Sequence, residues 1–460
     1  MRLIISTLLL GLGLPLYAQM YHTQGRQVCC GDSLILGTSR GAAINPSWLG
    51  RTNRSHGSLN LLHLGGSFYG PTLSLGELAD LSLTDMAIDS SLRDALIEGL
   101  TANSQFTYSG TFEINWLDAS YTSRKFGGMA LYLTEKVNTT SLVNGQLFEL
   151  LLLGNQAPAY QDLGAGALYG AGDGTQVNYS HTRELKFSYG RRLIDTEDLE
   201  LAIGFGIKHV WALGYLSLDI AGEQLAGRAS FSEFYDKIQY EDALSGIEDI
   251  PRRLFGNAGG GFGLDFGANV SKPTVYSIGL AITNLGSIAW DERSRGTNRS
   301  IRPFIDSVDT GLIDSYSFDE ETNGLVRALG YEPQPGFETP FNTILRLNGS
   351  FHINSKVRFS TDLAISLREE SITALNTVPS TYAAHLSYRP FSALRSILDF
   401  SLTTGVLHAE RFGTRVPFGV ALKLGNELSF GAAVPDLLTY LGASDQPYAG
   451  LSVATLGIDF

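Results

Sequence analysis

The chain has 460 residues, a formal charge of −13, and 17% charged residues against 43% hydrophobic ones. An acidic balance of this size excludes a nucleic-acid binder, which needs a basic footprint. The only cysteines, adjacent Cys29 and Cys30, make neither a disulfide framework nor a spaced metal knuckle.

Residues 1–18 read as an export signal, with Arg2 ahead of the apolar run Leu3 to Leu16 and small Ala18 at the cleavage point. The mature chain is then expected to start at Gln19 and, without Arg2, to carry a charge of −14 (32 basic minus 46 acidic residues). Beyond Ala18 no uncharged apolar stretch reaches the roughly 18 residues of a membrane helix. The 52 glycines, 20 tyrosines and 24 phenylalanines suit membrane-crossing strands instead. Residues 19–56 carry little periodicity and are expected to fold inward as a plug or periplasmic lead-in, with residues 57–460 as the barrel. A first strand is placed near 58–68, although its alternation is poor. Residues 70–104 form its loop, partly helical over 76–100 through Leu78, Leu81, Met86, Leu92, Leu96 and Ile97.

From about residue 105, apolar and polar residues alternate with period two. Phe112, Ile114 and Trp116 oppose Thr111, Glu113 and Asn115; Leu185, Phe187 and Tyr189 oppose Glu184, Lys186 and Ser188; Ile203, Phe205 and Ile207 continue the pattern. Farther on, Val357, Phe359, Leu363, Ile365 and Leu367 oppose Arg358, Ser360, Asp362, Ser366 and Arg368. Runs of about 10–13 residues fit tilted membrane crossings better than the short strands of a soluble sandwich. Short links at 123–125, 191–198, 271–274, 354–355, 390–395 and 425–426 alternate with long segments at 136–175, 212–258, 287–341, 369–380, 408–415 and 435–448. That rhythm predicts an all-β, transmembrane antiparallel β-barrel of about 14 strands, with periplasmic turns, extracellular loops and both ends periplasmic. The apolar run 213–220 is assigned to a loop, because another strand there would break the alternation. The last strand ends on outward-facing Phe460, the kind of signal read by the barrel assembly machinery.

Two segments carry a family resemblance. Arg40-Gly41-Ala42-Ala43-Ile44-Asn45-Pro46-Ser47 resembles the Asn-Pro-Ala segment near the mature N-terminus of FadL-like barrels, with Ser47 where that family commonly has Ala. Gly261 to Gly267, followed by Leu280 to Trp290, is similar to the central hairpin of PorV-like and related barrels from bacteria with type IX secretion. The FadL-like resemblance implies 14 strands, an N-terminal hatch containing Asn45 and Pro46, and passage of hydrophobic compounds. The PorV-like one implies instead a partner in secretion and surface attachment.

No motif for catalysis is present: Gly-x-Ser-x-Gly, His-Glu-x-x-His and a phosphate loop are all missing, and the histidines are scattered. His181 and His209 share the outward phase, whereas His352 and His385 face inward. The run Gly259 to Gly261 is read as easing close strand packing. Arg346, His352, Arg358, Arg368, His385, Arg389 and Lys423 are expected to point into the lumen, with Asp362 and Asp399 among them. They would attract anions or, as the plainer and preferred reading, form the ion-paired polar packing that any barrel interior needs. The acidic stretch 291–338 does not reproduce a calcium loop and is expected to be a solvated outer loop.

The expectation is therefore a bacterial outer-membrane barrel, not an enzyme, with no cofactor and no metal site. It would be a passive channel for small or hydrophobic compounds or, alternatively, a non-enzymatic scaffold for secreted or surface proteins. Its partners would be outer-membrane lipid, the assembly machinery, and hydrophobic small molecules or secreted proteins.

Overall fold

The computed structural model describes residues 38–51, 56–70, 105–153, 161, 169–232, 256–272, 274–291, 293–306, 330–367, 380–390, 398–409, 413–424, 428–441 and 448–459. The export signal, Cys29 and Cys30, the segment 76–100, residues 292 and 307–329 of the acidic stretch, Arg368 and Phe460 lie outside these residues.

The wall strands are β1 (His56–Tyr69), β2 (Gln105–Ser123), β3 (Gly127–Asn144), β4 (Gln176–Asp195) and β5 (Glu200–Ala221). They continue as β6 (Gly259–Lys272), β7 (Tyr276–Trp290), β8 (Ile344–His352), β9 (Val357–Ser366) and β10 (Thr381–Tyr388). The last are β11 (Leu398–Ala409), β12 (Phe418–Leu424), β13 (Leu428–Val434) and β14 (Tyr448–Asp459). Each pairs antiparallel with the next. β1 also pairs with β14, from Ser58 opposite Asp459 to Tyr69 opposite Tyr448. The ladder thus returns to its start. Among the described residues every wall strand has two neighbours, the arrangement that lets strands cross a bilayer without an open edge. No described helix is long and apolar enough to do so.

Burial follows the pleat. On β5, Ala202, Lys208, Val210 and Ala212 are buried, while Ile203, Phe205 and Ile207 are 45%, 46% and 45% exposed. The polar set faces the lumen and the apolar set faces out. In β1 the pattern was obscured by one residue. Leu62 adopts φ 50° and is skipped in the pairing with both neighbours, so the inward set changes from Ser58 and Asn60 to His63 and Ser67. The register with both neighbours is the same on either side, so the left-handed residue itself turns the pleat over, and strict alternation fails across it.

The run 213–220 is a correction: it is strand, not loop. β5 pairs with β6 as far as Ala212 and then, from Gly214, with Gln224–Phe231. The β4 register slips at the same point, between His181 and Thr182. Past that point the strand keeps β4 on one side as far as Asp219 and exchanges β6 for Gln224–Phe231 on the other, so no wall strand is added. Gln224–Phe231 pairs in turn with Arg295–Ser300, and that strand with Glu332–Pro333, giving a small extension at the long-loop end. The outer loops are correspondingly shorter than expected. β3 runs to Asn144 and is followed by a helix over Gly145–Leu153, and the wall resumes opposite β7 at Glu338–Pro340. At the other end the turns are tight. There Lys272 donates to Asp198 at 2.7 Å and holds that carboxyl below its ordinary range.

Candidate functional site in the barrel lumen

The described N-terminal segment lies against the inner wall. A helix over Thr38–Ile44 is followed by Asn45 and a 3-10 turn over Pro46–Gly50. Proline restricts the residue before it to extended backbone, and Asn45 sits at φ −139°, ψ 106°. It caps the turn: its Oδ1 accepts from Ser47 N at 3.1 Å and Ser47 Oγ at 2.6 Å, with Pro46 in the favoured first helical position. Its Nδ2 reaches the wall and donates to the carbonyls of Ala268 and Leu280, both at 3.4 Å. Asn45 is completely buried.

What receives this turn is a row of glycines. Gly128 pairs with Gly190, Gly190 with Gly204, and Gly204 with Gly267, across β3, β4, β5 and β6. A Cβ at Gly128 would strike Leu49, at Gly190 the Pro46 carbonyl, at Gly204 the Pro46–Ser47 peptide, and at Gly267 the Asn45 side chain. The wall offers bare backbone here because the turn occupies the side-chain space. Leu49 and Ala42 complete the contact against Ala130 and Tyr132, with Trp48 packed alongside.

Toward the long-loop end the next layer is charged. Lys136, Glu184, Lys186, Lys208, Asp265 and Arg346 surround a cavity of about 70 Å³, room for a handful of waters. Lys136 pairs with Glu184 at 2.8 Å and Lys208 with the same carboxylate at 3.5 Å. Lys186 pairs with Asp265 at 2.5 Å and donates to the Ala43 carbonyl at 2.8 Å, joining the N-terminal segment to the wall. Lys208 donates to Asn284 Oδ1 at 2.8 Å, and the Asn284 amide donates to Asp265 at 2.7 Å. Asn284 has φ 63°, and the β6–β7 register slips opposite it, between Leu264 and Phe266. Buried charges persist only when paired in this way.

Beyond the charged layer the inner face turns apolar. Val210, Ala212, Tyr215, Ile288, Trp290 and Phe341 form one buried cluster. The Lys208 ammonium lies 4.6 Å from the Phe341 ring centroid, where the two layers meet.

The expected basic cluster falls partly on this inner face. Arg346, Arg358, His385 and Arg389 are buried, and His352 is half-buried at the end of β8. Arg346 pairs with Asp362 and Arg389 with Asp399, both at 3.8 Å, while Arg358 donates to Ser350 Oγ at 2.9 Å. The three arginines are thus partnered on the wall, whereas both ring nitrogens of His385 are buried without a hydrogen-bond partner. Of the cluster only Arg346 lines the cavity. Lys136, Lys208 and Asp265 were missed as a group, and Glu184 and Lys186 were read only as the polar side of a strand. Their inward phase was visible, but not the register that brings them together. Among the described residues no His, Cys, Asp and Glu group is arranged to hold a metal ion.

The family described as "Family of unknown function (DUF5723)" matches residues 51–426, and no curated protein matches the chain. Several solved structures are similar over most of their length. The Ralstonia pickettii toluene transporter TbuX is 12% identical, covering 92% of this chain and 93% of that one, with a TM-score of 0.40. The P. putida toluene transporter TodX is 9% identical, with coverage of 93% and 92% and a TM-score of 0.39. A Pseudomonas aeruginosa FadL homologue is 10% identical, with coverage of 94% and 96% and a TM-score of 0.42. Likeness at this level brings neither a substrate nor a site residue to the chain.

Proposed function

The chain belongs to the family of unknown function DUF5723, and from that premise we propose that it is an outer-membrane β-barrel for passive passage of small hydrophobic compounds, its lumen narrowed by an N-terminal plug. One observation carries this: a paired ring with an apolar exterior encloses a layered lumen, with the Asn45–Gly50 turn seated at one end. A solute from the long-loop end has to part the buried packing of Trp290, Phe341 and their apolar neighbours, an environment that favours apolar and aromatic compounds. It then meets the charged layer, where only about 70 Å³ is open. Passage at that level is controlled by the paired lysines and by the turn behind them. Nothing in this arrangement requires bond chemistry or an energy source.

Uptake of the apolar fluorophore N-phenyl-1-naphthylamine tests the proposal. Cells whose outer membranes carry the folded protein are expected to take up the dye faster than cells carrying none. Equal rates, with the protein recovered folded in that membrane, would contradict passage.

A further inference from the structure

The charged layer of the lumen carries more positive than negative charge, around a space with room left in it. Lys136 of β3, Lys186 of β4 and Lys208 of β5 stand against Glu184 of β4 and Asp265 of β6. The charged groups acting on Lys208 are this same set: Glu184, Asp265, Lys136 and Lys186. Arg346 also lines the cavity, but it is set against Asp362 at 3.8 Å and brings its own counter-charge. Three ammonium groups are thus matched by two carboxylates.

Glu184 shows the shortage most directly. Its Oε2 serves both Lys136 at 2.8 Å and Lys208 at 3.5 Å. An ammonium group has three N–H donors. Lys186 spends two on protein acceptors, Asp265 and the Ala43 carbonyl, and Lys208 two, Asn284 and Glu184. Lys136 spends one, on Glu184, among the described residues. These three side chains are only 12%, 11% and 4% exposed for Lys136, Lys186 and Lys208, so dissolved salt screens them little. A buried charge without a partner is costly. The open space beside them, about 70 Å³, holds one small ion with a water or two. Ile44, Tyr132 and Ile344 complete its wall and leave no room for a bulky polar group.

We propose that this cavity is a binding site for one small monovalent inorganic anion, of the chloride or nitrate class, held by the ammonium groups of Lys136 and Lys208. The anion supplies the charge that Glu184 and Asp265 leave unmatched. One excess positive charge selects a monoanion, since a dianion would leave the layer negative instead. The site does not depend on the passage of hydrophobic compounds, which dye uptake reads separately.

Line broadening of the chloride nuclear magnetic resonance signal tests the site. The whole folded protein in detergent micelles is titrated with chloride, and gluconate, too large for the cavity, holds the ionic strength constant. The expected result is a saturable component that nitrate and formate displace. Lys136→Gln removes the unmatched charge and should weaken chloride binding about tenfold or more. Glu184→Gln has the opposite sign and should tighten it by about the same factor. Lys125→Gln, on an exposed turn, should change nothing. Absence of a saturable component in the intact protein would overturn the proposal. So would a component reduced as much by Lys125→Gln as by Lys136→Gln, or one that neither lumen variant moves. Octanoate should displace chloride no better than formate does. Displacement at far lower octanoate concentration would mean that the site holds the carboxyl group of an apolar solute, and would overturn the assignment to a free anion.

Discussion

Gly204→Leu is expected to lift the Asn45–Gly50 turn off the wall while leaving the barrel closed. Any Cβ at Gly204 meets the backbone of Pro46 and Ser47, and backbone cannot rotate aside as a flexible side-chain end can. Overpacking of this kind costs about 1–3 kcal/mol. The wall ladder is paired on both sides of β5, so the N-terminal turn is the part that yields. A reporter thiol introduced by Ser47→Cys, with Cys29 and Cys30 replaced by serine, starts fully buried. Its labelling by a water-soluble maleimide should quicken roughly tenfold to a hundredfold, the same cost expressed as an open population. Gly260→Ala is the control, since a Cβ there meets nothing closer than 3.6 Å and the rate should not move. An unchanged rate in Gly204→Leu would mean that the turn is not seated on the glycine row.

The largest stability effect is expected on the lipid face. Leu363 pairs with Leu347, and Leu347 with Leu280, so three outward leucines lie side by side on β9, β8 and β7. Leu363→Arg should cost about 2–4 kcal/mol near the bilayer midplane, against much less for an inward position. Ser360→Arg is that inward comparison, one residue from outward-facing Phe359 and on the phase of Arg358 and Asp362. Denaturant titration of both variants in the same lipid measures the difference. Equal costs would reverse the phase assigned to β9.

Much of the wall was legible because period two is a local property. Alternation along β4, β5 and β9, together with the rhythm of short and long connections, gave the wall strands and their faces. Where it failed, a local backbone event was responsible: the left-handed Leu62 displaced the phase of β1, and the partner change after Ala212 turned a supposed loop into strand. The N-terminal turn was half legible. Asn45-Pro46 stood out through the FadL-like resemblance, but nothing local marked Gly128, Gly190, Gly204 and Gly267 as one row. These residues come from four strands, and only the register aligns them. The charged layer was hidden for the same reason: Lys136, Glu184, Lys208 and Asp265 are far apart in sequence. Of the expected cluster on β8 to β10, Arg346 and Arg389 stand beside Asp362 and Asp399 on the wall, positions that their inward phase made legible. The secretion-scaffold alternative drew on the PorV-like resemblance alone.

Single-channel recording of the folded barrel with residues 38–50 deleted is the most direct test that this segment narrows the lumen. Removing it takes away the seated turn and the Ala43 carbonyl that holds Lys186. The charged layer then lines a ring of strands wide enough for water. A conductance well above that of the intact protein is predicted. It should prefer anions, because Lys136, Lys186, Lys208 and Arg346 outnumber Glu184 and Asp265 around the cavity. A closed record from the folded, deleted barrel, indistinguishable from the intact one, would contradict the assignment of this segment as the plug.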